Sequence, residues 1–337
     1  MVIQMKVTVL GSGAWGTALA LLLLENGNQV AMWSHHPAAL HEIRTQGENP
    51  KLPGVPVPER LELAEDMSCA AESDVVVLAT PSFAMRETAA KLNQVVRPGT
   101  ILVSVGKGIE KNTSLRMSEV IQSEIQAECP LVVLCGPTHA EEVGRRIPSG
   151  IVAASQDREA AEQVQDLFMN SRFRVYTSSD VIGVEISAAM KNVIALCAGI
   201  SDGVGYGDNT RAMLITRGLT EIARLGVAQG GNQATFAGLA GVGDLIVTCT
   251  SEHSRNHRAG IMIGQGMEPQ QALKKVGAVV EGYYAAATGK ELANRLGVEM
   301  PITEAAYAVL YQGKSVQDAC CEMMARKKNH EVEDAWL

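Results

Sequence analysis

The sequence lacks an excess of positive charge, a paired-cysteine signature and a long uninterrupted apolar run. Its 29 lysines and arginines face 37 aspartates and glutamates, a net charge of −8. Such a balance argues against general binding to nucleic acid or to an anionic membrane, but leaves room for a local basic pocket. The 7 cysteines are odd in number, and none stands in a Cys-x-x-Cys pair; Cys320 and Cys321 are adjacent within a helical pattern. Neither a disulfide framework nor a zinc site fits this spacing, whereas a reducing cytoplasm does. The histidines also lack paired spacing with carboxylates or cysteines, so no metal site is expected. No stretch approaches the ~20 apolar residues that span a bilayer. The run Ala18–Leu24 follows a strand and a glycine turn, unlike a signal peptide. The expectation is a soluble cytoplasmic protein with no nucleic-acid partner and no membrane span.

What is present is ample core material: 337 residues, 46% hydrophobic, enough for two domains. The first half alternates β-rich runs with helical stretches. The runs are KVTVL from Lys6, QVAMW from Gln29, DVVVLAT from Asp74, ILVSV from Ile101, LVVLCG from Leu131, GIVAAS from Gly150 and FRVYTS from Phe173. Valine and isoleucine dominate them, as in strands buried on both faces. Helices between them predict βαβ units and a mostly parallel, doubly wound sheet. KLPGVPVPER from Lys51 reads as a loop. After about Asp180 the strand signal fades. A long apolar, alanine-rich helix is predicted from Val181, then a glycine-rich break, then another helix from about Thr210 and little but helical pattern thereafter. The fold class is thus α/β: a Rossmann-type dinucleotide-binding domain over residues 1–180, then an all-helical substrate and catalytic domain over 181–337. The charged tail Ala325–Leu337 reads as a frayed end.

The glycines Gly11, Gly13 and Gly16 form G-x-G-x-x-G between a strand and a helix. The first permits a tight turn, the second lets a pyrophosphate approach the backbone, and the third lets helix and strand pack closely. The helix N-terminus then offers free N–H groups to phosphate. S-adenosylmethionine also sits on glycine-rich turns, but strand, turn, helix and second strand in this order favour a dinucleotide. At the end of the second strand, where NAD-binding proteins usually carry an acid for the ribose 2′-OH, stand Ser34, His35 and His36. Histidines do not repel a 2′-phosphate, so NADPH is expected to be accepted, preference for it is open, and NADH is not excluded. Arg44 follows, on a predicted helix face.

Nucleotide binding names no reaction. Lys107, in SVGKGIE, follows a strand at the edge where ligands bind. In LCGPTHAEEV, Gly136 and Pro137 end a strand and place Thr138 and His139 over the crevice, His139 reading as a packing residue rather than a proton carrier. Lys191 and Asn192 lie on an otherwise apolar helix. A lysine there, desolvated and near another cation, has its pKa lowered toward neutrality, as a general acid/base for an alcohol–ketone pair requires. Asp244 lies in a glycine-rich loop from which it can hold that lysine or a substrate hydroxyl. Ser254, Arg255 and Asn256 begin a helix suited to phosphate, with His253, His257 and Arg258 making the area locally basic. For each of these residues a surface or packing role is the competing reading. Together they point to hydride transfer on a small phosphorylated hydroxy compound.

These blocks, in order, resemble the bacterial NAD(P)-dependent sn-glycerol-3-phosphate dehydrogenases. The resemblance runs from GSGAWGTALA to about Gly313 and rests on SVGKGIE, CGPTHAEEV, EISAAMKNVIALCAGISDGVGYGDNTRAMLITRGLTEI and GLAGVGDLIVTCTSEHSRN. It implies interconversion of glycerol 3-phosphate and dihydroxyacetone phosphate with NADH or NADPH, supplying phospholipid synthesis. It implies Lys191 as the proton acceptor or donor, and Lys107 as a contact to cofactor and substrate. Gly136, Thr138 and Asp244 would border the substrate. Ser254, Arg255 and Asn256 would hold its phosphate, with Arg255 also near the cofactor. Trp15, His35, Ala140, Val279 and Glu281 would contact the dinucleotide, and Asn192 and Thr248 would line the same pocket. Two positions depart from the family. Ala14 replaces a serine common at the glycine turn, and Lys51 stands where relatives often carry an aromatic. Two other readings remain: a dehydrogenase of similar build acting on a hydroxyacyl or sugar-acid substrate, and a non-catalytic NAD(P) sensor. A homodimer is expected.

Overall fold

The computed structural model describes residues 4–328 and 330–331. Eight strands form one sheet in the order β3-β2-β1-β4-β5-β6-β7-β8. They are β1 Lys6–Leu10, β2 Gln29–Trp33, β3 Glu62–Ala64, β4 Val75–Leu78, β5 Ile101–Ser104, β6 Leu131–Cys135, β7 Ser149–Ala154 and β8 Phe173–Ser178. All neighbours pair in parallel except β6 and β7. The helices of this half are α1 Ala14–Glu25, α2 Pro37–Gln46, α3 Met85–Leu92, α4 Met117–Glu124, α5 Ala140–Gly144 and α6 Arg158–Phe168. Seven strands match the predicted runs. The exception is β3, three residues at the sheet edge, too short to show a period.

The two-residue period of the strands decides which face each residue serves. Val7, Val9, Val75, Val77, Ile101 and Val103 join one buried cluster with Leu19, Leu23, Leu40, Ile43 and Val164 from α1, α2 and α6. Their alternates Leu10, Val76, Leu78 and Leu102 join a second with Met85, Ala89, Leu92, Val120 and Ile121 from α3 and α4. Helices therefore cover both faces, which is why these strands read as unbroken apolar runs.

Past β8 come helices only: α7 Val181–Val204, α8 Asp208–Ala228, α9 Gln233–Phe236, α10 Asp244–Thr250, α11 Arg255–Gly264, α12 Pro269–Val276, α13 Glu281–Leu296, α14 Pro301–Gln312 and α15 Val316–Met324. Asp180 caps α7 by accepting from Gly183 N, and Gly205 ends it in the left-handed conformation at φ 93°. One expectation needs correction here. By length and composition α7 is apolar enough to cross a bilayer, with a mean hydropathy of 1.6. Glu185 and Lys191 interrupt its sequence and hid this. The helix is instead the buried axis of the helical half, with 83% of its most apolar window inside the protein. Val184 and Ala188 on α7 pack against Val133 and Cys135 of β6 and Ala154 of β7, seating the helices on the sheet. A second difference is local. The glycine-rich segment Leu239–Gly243, read as loop, is a π-helical turn that runs directly into α10. Of the tail expected to fray beyond Met324, residues 329 and 332–337 lie outside the described ones, while Arg326 reaches Glu299 at 3.4 Å.

α11 crosses α7 at backbone contact. A Cβ on Gly199 or Gly203 of α7 would lie 2.1 Å from His257 O or 2.2 Å from Ile261 O. One on Gly260 or Gly264 of α11 would lie 2.2 Å from Leu196 O or Ile200 O. In an exposed helix, Gly→Ala gains about 1 kcal/mol. Here a methyl group meets backbone, and overpacking costs about 1–3 kcal/mol or more. Gly199→Ala is therefore expected to destabilise the protein despite its better helix propensity, lowering the midpoint of urea unfolding. A raised midpoint would refute the close crossing.

Candidate active site

The cleft opens where the strand order reverses, at the C-terminal ends of β1 and β4. Gly11 turns the chain there at φ 129°, and a Cβ on it would sit 2.5 Å from Ala79 O. A Cβ on Gly16 would sit 2.1 Å from Gly11 O, so α1 presses against the turn itself. Gly13 differs: a Cβ on it would meet nothing within 4 Å. Gly13 is the N-cap of α1, no side chain caps that helix, and its first turn carries no acid. The result is an open cradle of N–H groups suited to pyrophosphate. Trp15 adds a buried indole Nε1 without a partner among the described residues.

The turn is pinned by groups that the linear sequence did not flag. Ser12 Oγ donates to Ser34 Oγ at 2.8 Å; Asn49 Nδ2 donates to Ser12 O at 3.0 Å and to Thr17 Oγ1 at 2.6 Å. Ser34, the residue just past β2 where an acid was sought, is thus buried and used for structure. His35 and His36 follow it, exposed. Lys91 of α3, ion-paired with Glu87 at 2.7 Å, also brings its Nζ to 3.4 Å from His35 Nδ1, a cation from a distant stretch that sequence reading missed. Arg44 donates to Leu63 O of β3.

The strands β2 and β5 are three sheet positions apart, roughly 14 Å at ~4.8 Å per strand. Past β5 stands Lys107. Its Nζ donates to Asp244 Oδ2 at 2.9 Å and to Gly136 O at 3.2 Å. Lys191, from the middle of α7, donates to Asp244 Oδ1 at 2.6 Å and to Thr248 Oγ1 at 2.7 Å. Thr248 lies one turn past Asp244 on α10 and donates in turn to Asp244 O. Asp244 is 1% exposed, and each of its oxygens is taken by one ammonium group. Of its two sequence-level options, the geometry is that of a lysine holder.

The two lysines respond differently. Burial pushes Lys191 down to about 8, with the positive charge of Lys107 adding to the effect and Asp244 opposing it. Burial also works against the charge of Lys107, but the Asp244 carboxylate outweighs it and leaves that pKa raised. Asp244 is held below the usual carboxylate range because the two lysines overcome its own desolvation. Lys191 is therefore the group poised to exchange a proton near neutrality, and Lys107 the permanent cation.

Thr138 Oγ1 turns back to Gly136 O at 3.2 Å. His139 stands at the N-cap position of α5 without a side-chain capping bond, and its Nε2 is buried without a partner among the described residues. Burial, then the charge of Lys191, holds it below the usual histidine range. Ala140 is the first residue of α5. On the helical side, Ser254 caps α11 by accepting from His257 N at 3.2 Å. Arg255 is exposed. Asn256 is a bridge: it donates to Asn192 Oδ1 on α7 at 2.9 Å and accepts from Gly282 N on α13 at 2.8 Å, leaving one N–H for a ligand. Glu281, at the start of α13, accepts from Ser82 Oγ at 2.7 Å and Ser82 N at 3.3 Å. Burial raises its pKa against those bonds and the charge of Arg255. Val279 lies two residues before it, half-buried. The fold thus gathers Lys107, Gly136, Lys191, Asp244 and Thr248 into one hydrogen-bonded cluster and ties α11 to it through Asn192. The cluster faces the sheet edge, with His35 and His36 standing apart at the end of β2.

Comparison with known proteins agrees in both halves. Residues 6–161 match the family model for the NAD-dependent glycerol-3-phosphate dehydrogenase N-terminus, and residues 180–321 match that for the C-terminus. The chain is 50% identical over 333 residues to the glycerol-3-phosphate dehydrogenase [NAD(P)+] of Desulfitobacterium hafniense (strain Y51), covering 98% of this chain and 94% of that one. It is likewise 50% identical to that of Bacillus subtilis (strain 168), covering 98% and 96%. The crystal structure of the Coxiella burnetii glycerol-3-phosphate dehydrogenase superposes with a TM-score of 0.92 at 36% identity, covering 96% of this chain and 99% of that one. The chain belongs to the NAD-dependent glycerol-3-phosphate dehydrogenase family.

Proposed function

We propose that the site interconverts sn-glycerol 3-phosphate and dihydroxyacetone phosphate with NADH or NADPH, supplying glycerol 3-phosphate for phospholipid synthesis. The observation that carries this reading is the buried Lys191–Asp244–Lys107 cluster at the strand edge, beside a helix N-terminus headed by Arg255. Residues 1–180 hold the dinucleotide; residues 181–337 supply the proton-transfer group and the phosphate grip. Gly11, Gly13, Trp15 and Gly16 receive the cofactor's phosphates and neighbouring groups. His35 and His36, with Lys91, receive its ribose end and favour NADPH. Ala140, Val279 and Glu281 border its other end. When bound, the nicotinamide supplies or accepts the hydride at substrate C2.

The protein does the rest. Arg255, the free N–H groups of the α11 turn, the Ser254 hydroxyl and the remaining N–H of Asn256 hold the phosphate and so fix C2 in place. Gly136 and Thr138 border the carbon skeleton. In reduction, Lys191 Nζ gives a proton to the oxygen on C2; in oxidation, the neutral amine takes it back. Lys107 stabilises negative charge on that oxygen and keeps the pKa of Lys191 low. Asp244 and Thr248 aim the Lys191 amine. The cytoplasm is the proposed setting, supported by seven cysteines that are all free. A homodimer is the proposed assembly, supported by exposed Met213 and Met324 at the rim of an apolar hollow on the helical domain.

The first test mixes the protein with dihydroxyacetone phosphate and follows oxidation of NADPH and NADH in parallel. Oxidation is expected, and the ratio of rates reports on His35 and His36. Protein that binds cofactor but oxidises neither loses this assignment. Lys191→Ala is expected to lower kcat about a hundredfold to ten-thousandfold with cofactor binding intact; near-normal turnover would remove Lys191 from the chemistry. Arg255→Ala should raise KM for dihydroxyacetone phosphate roughly tenfold to a hundredfold, the loss of one charge-assisted grip. The pH profile follows from the lowered lysine. Oxidation needs the neutral amine, so its kcat/KM should climb with pH and level off above about 8. Reduction needs the ammonium, so its kcat/KM should fall above the same point. Profiles flat between pH 7 and 9 in both directions would contradict the assignment.

A further inference from the structure

The turn that opens α11 is fastened by a residue with no part in the proton transfer. His257 is the third residue of α11 and 7% exposed. Its Nε2 lies 2.7 Å from Asp202 Oδ2 in the last turn of α7; a carboxylate only accepts, so Nε2–H is the donor. The other oxygen, Asp202 Oδ1, accepts from Arg211 Nε at 3.1 Å and Nη2 at 2.9 Å, from the first turn of α8. Arg211 also reaches Asp208. Three helices thus meet at one carboxylate.

The place of this knot matters more than its strength. The first turn of a helix has unpaired N–H groups and few bonds of its own, so it is the part that frays most easily. In α11 that turn is the one that offers Ser254, Arg255 and Asn256. Its backbone already rests on α7, where Gly199 admits His257 O at a distance no side chain allows. Asn256 ties it to Asn192 at 2.9 Å. Those two contacts fix where the turn touches α7. The Asp202 bond, made from a third point along α7, stops it rotating about them. Charge is arranged to match: a bare carboxylate this close to a phosphate site would repel the ligand, and Arg211 neutralises it.

We propose that His257, held by Asp202 and Arg211, is a positioning residue that sets the first turn of α11 in the orientation that grips the substrate phosphate. This rests on the phosphate reading given under the proposed function. The role predicts a particular split. Loss of the bond should weaken the grip on phosphate and leave the Lys191 chemistry nearly intact.

The test compares dihydroxyacetone phosphate with unphosphorylated dihydroxyacetone, which lacks the group that α11 holds. His257→Phe keeps a ring in the slot and removes the donor. It is expected to raise KM for dihydroxyacetone phosphate about tenfold, change kcat less than about threefold, and leave kcat/KM for dihydroxyacetone unchanged. His257→Gln, whose amide N–H can reach the carboxylate, should recover most of the loss. Asp202→Ser cuts the same bond from α7 together with the Arg211 pair, and should again raise KM for dihydroxyacetone phosphate while sparing dihydroxyacetone. Asp202→Ser also carries the test if His257→Phe does not fold. An unchanged KM, or an equal loss on both substrates, would overturn the positioning role. Failure of the unaltered protein to reduce dihydroxyacetone phosphate would instead overturn the functional reading beneath it.

Discussion

The crossing of α7 and α11 at backbone distance is the constraint on which the site depends. Four glycines, two from each helix, let carbonyl oxygens take the space that side chains would fill. Such a contact has no rotamers and little room to adjust. It therefore fixes the separation between what α7 carries and what α11 offers. Lys191 and Asn192 sit upstream on α7, Asp202 downstream, and the Ser254–His257 turn between them. Main chain thus sets the distance between Lys191 and the Ser254–Asn256 turn, and the His257–Asp202 bond adds the turn's orientation.

Within that frame the electrostatics turn on one buried carboxylate. Asp244 accepts from two lysines, and all three groups are shielded from water to different degrees. The side chain of Lys191 is 6% exposed, and desolvation wins over attraction. That of Lys107 is 20% exposed, and attraction wins. Two residues of one type, sharing one partner, thereby have their pKa values moved in opposite directions. Without Asp244 both cations would be buried uncompensated, a far more costly arrangement.

The sheet supplies the other half of the geometry. Strand order reverses between β1 and β4, and the residues that follow β1, β5 and β6 all open on the same edge. The glycine turn, Lys107 and Gly136 therefore lie along one line, and α7 docks on β6 and β7 to bring Lys191 to it. An extended dinucleotide and a small phosphorylated substrate suit this layout, one along the strand ends and the other between sheet edge and helices.

Much of this was readable in the linear chain because it depends on local periodicity. Valine-rich runs, the G-x-G-x-x-G turn, the helix start at Arg255 and a lone lysine on an apolar helix all reflect interactions within a few residues. The misses have equally physical causes. The strand β3 is too short for a period, and the apolar length of α7 was masked by two charged residues that only burial and partners make tolerable. The π-helical turn before Asp244 sets Ala240 against the sheet and Gly241 against Phe236 O, contacts that no local pattern marks. Asn49, Lys91 and the Asp202–His257 bond join residues tens of positions apart, and no local pattern marks them. Linear order is enough for the fold class and for the chemical types at the site. Which lysine has its pKa lowered, and which carboxylate holds it, follows from desolvation and charge pairing, and these depend on distance in space rather than along the chain.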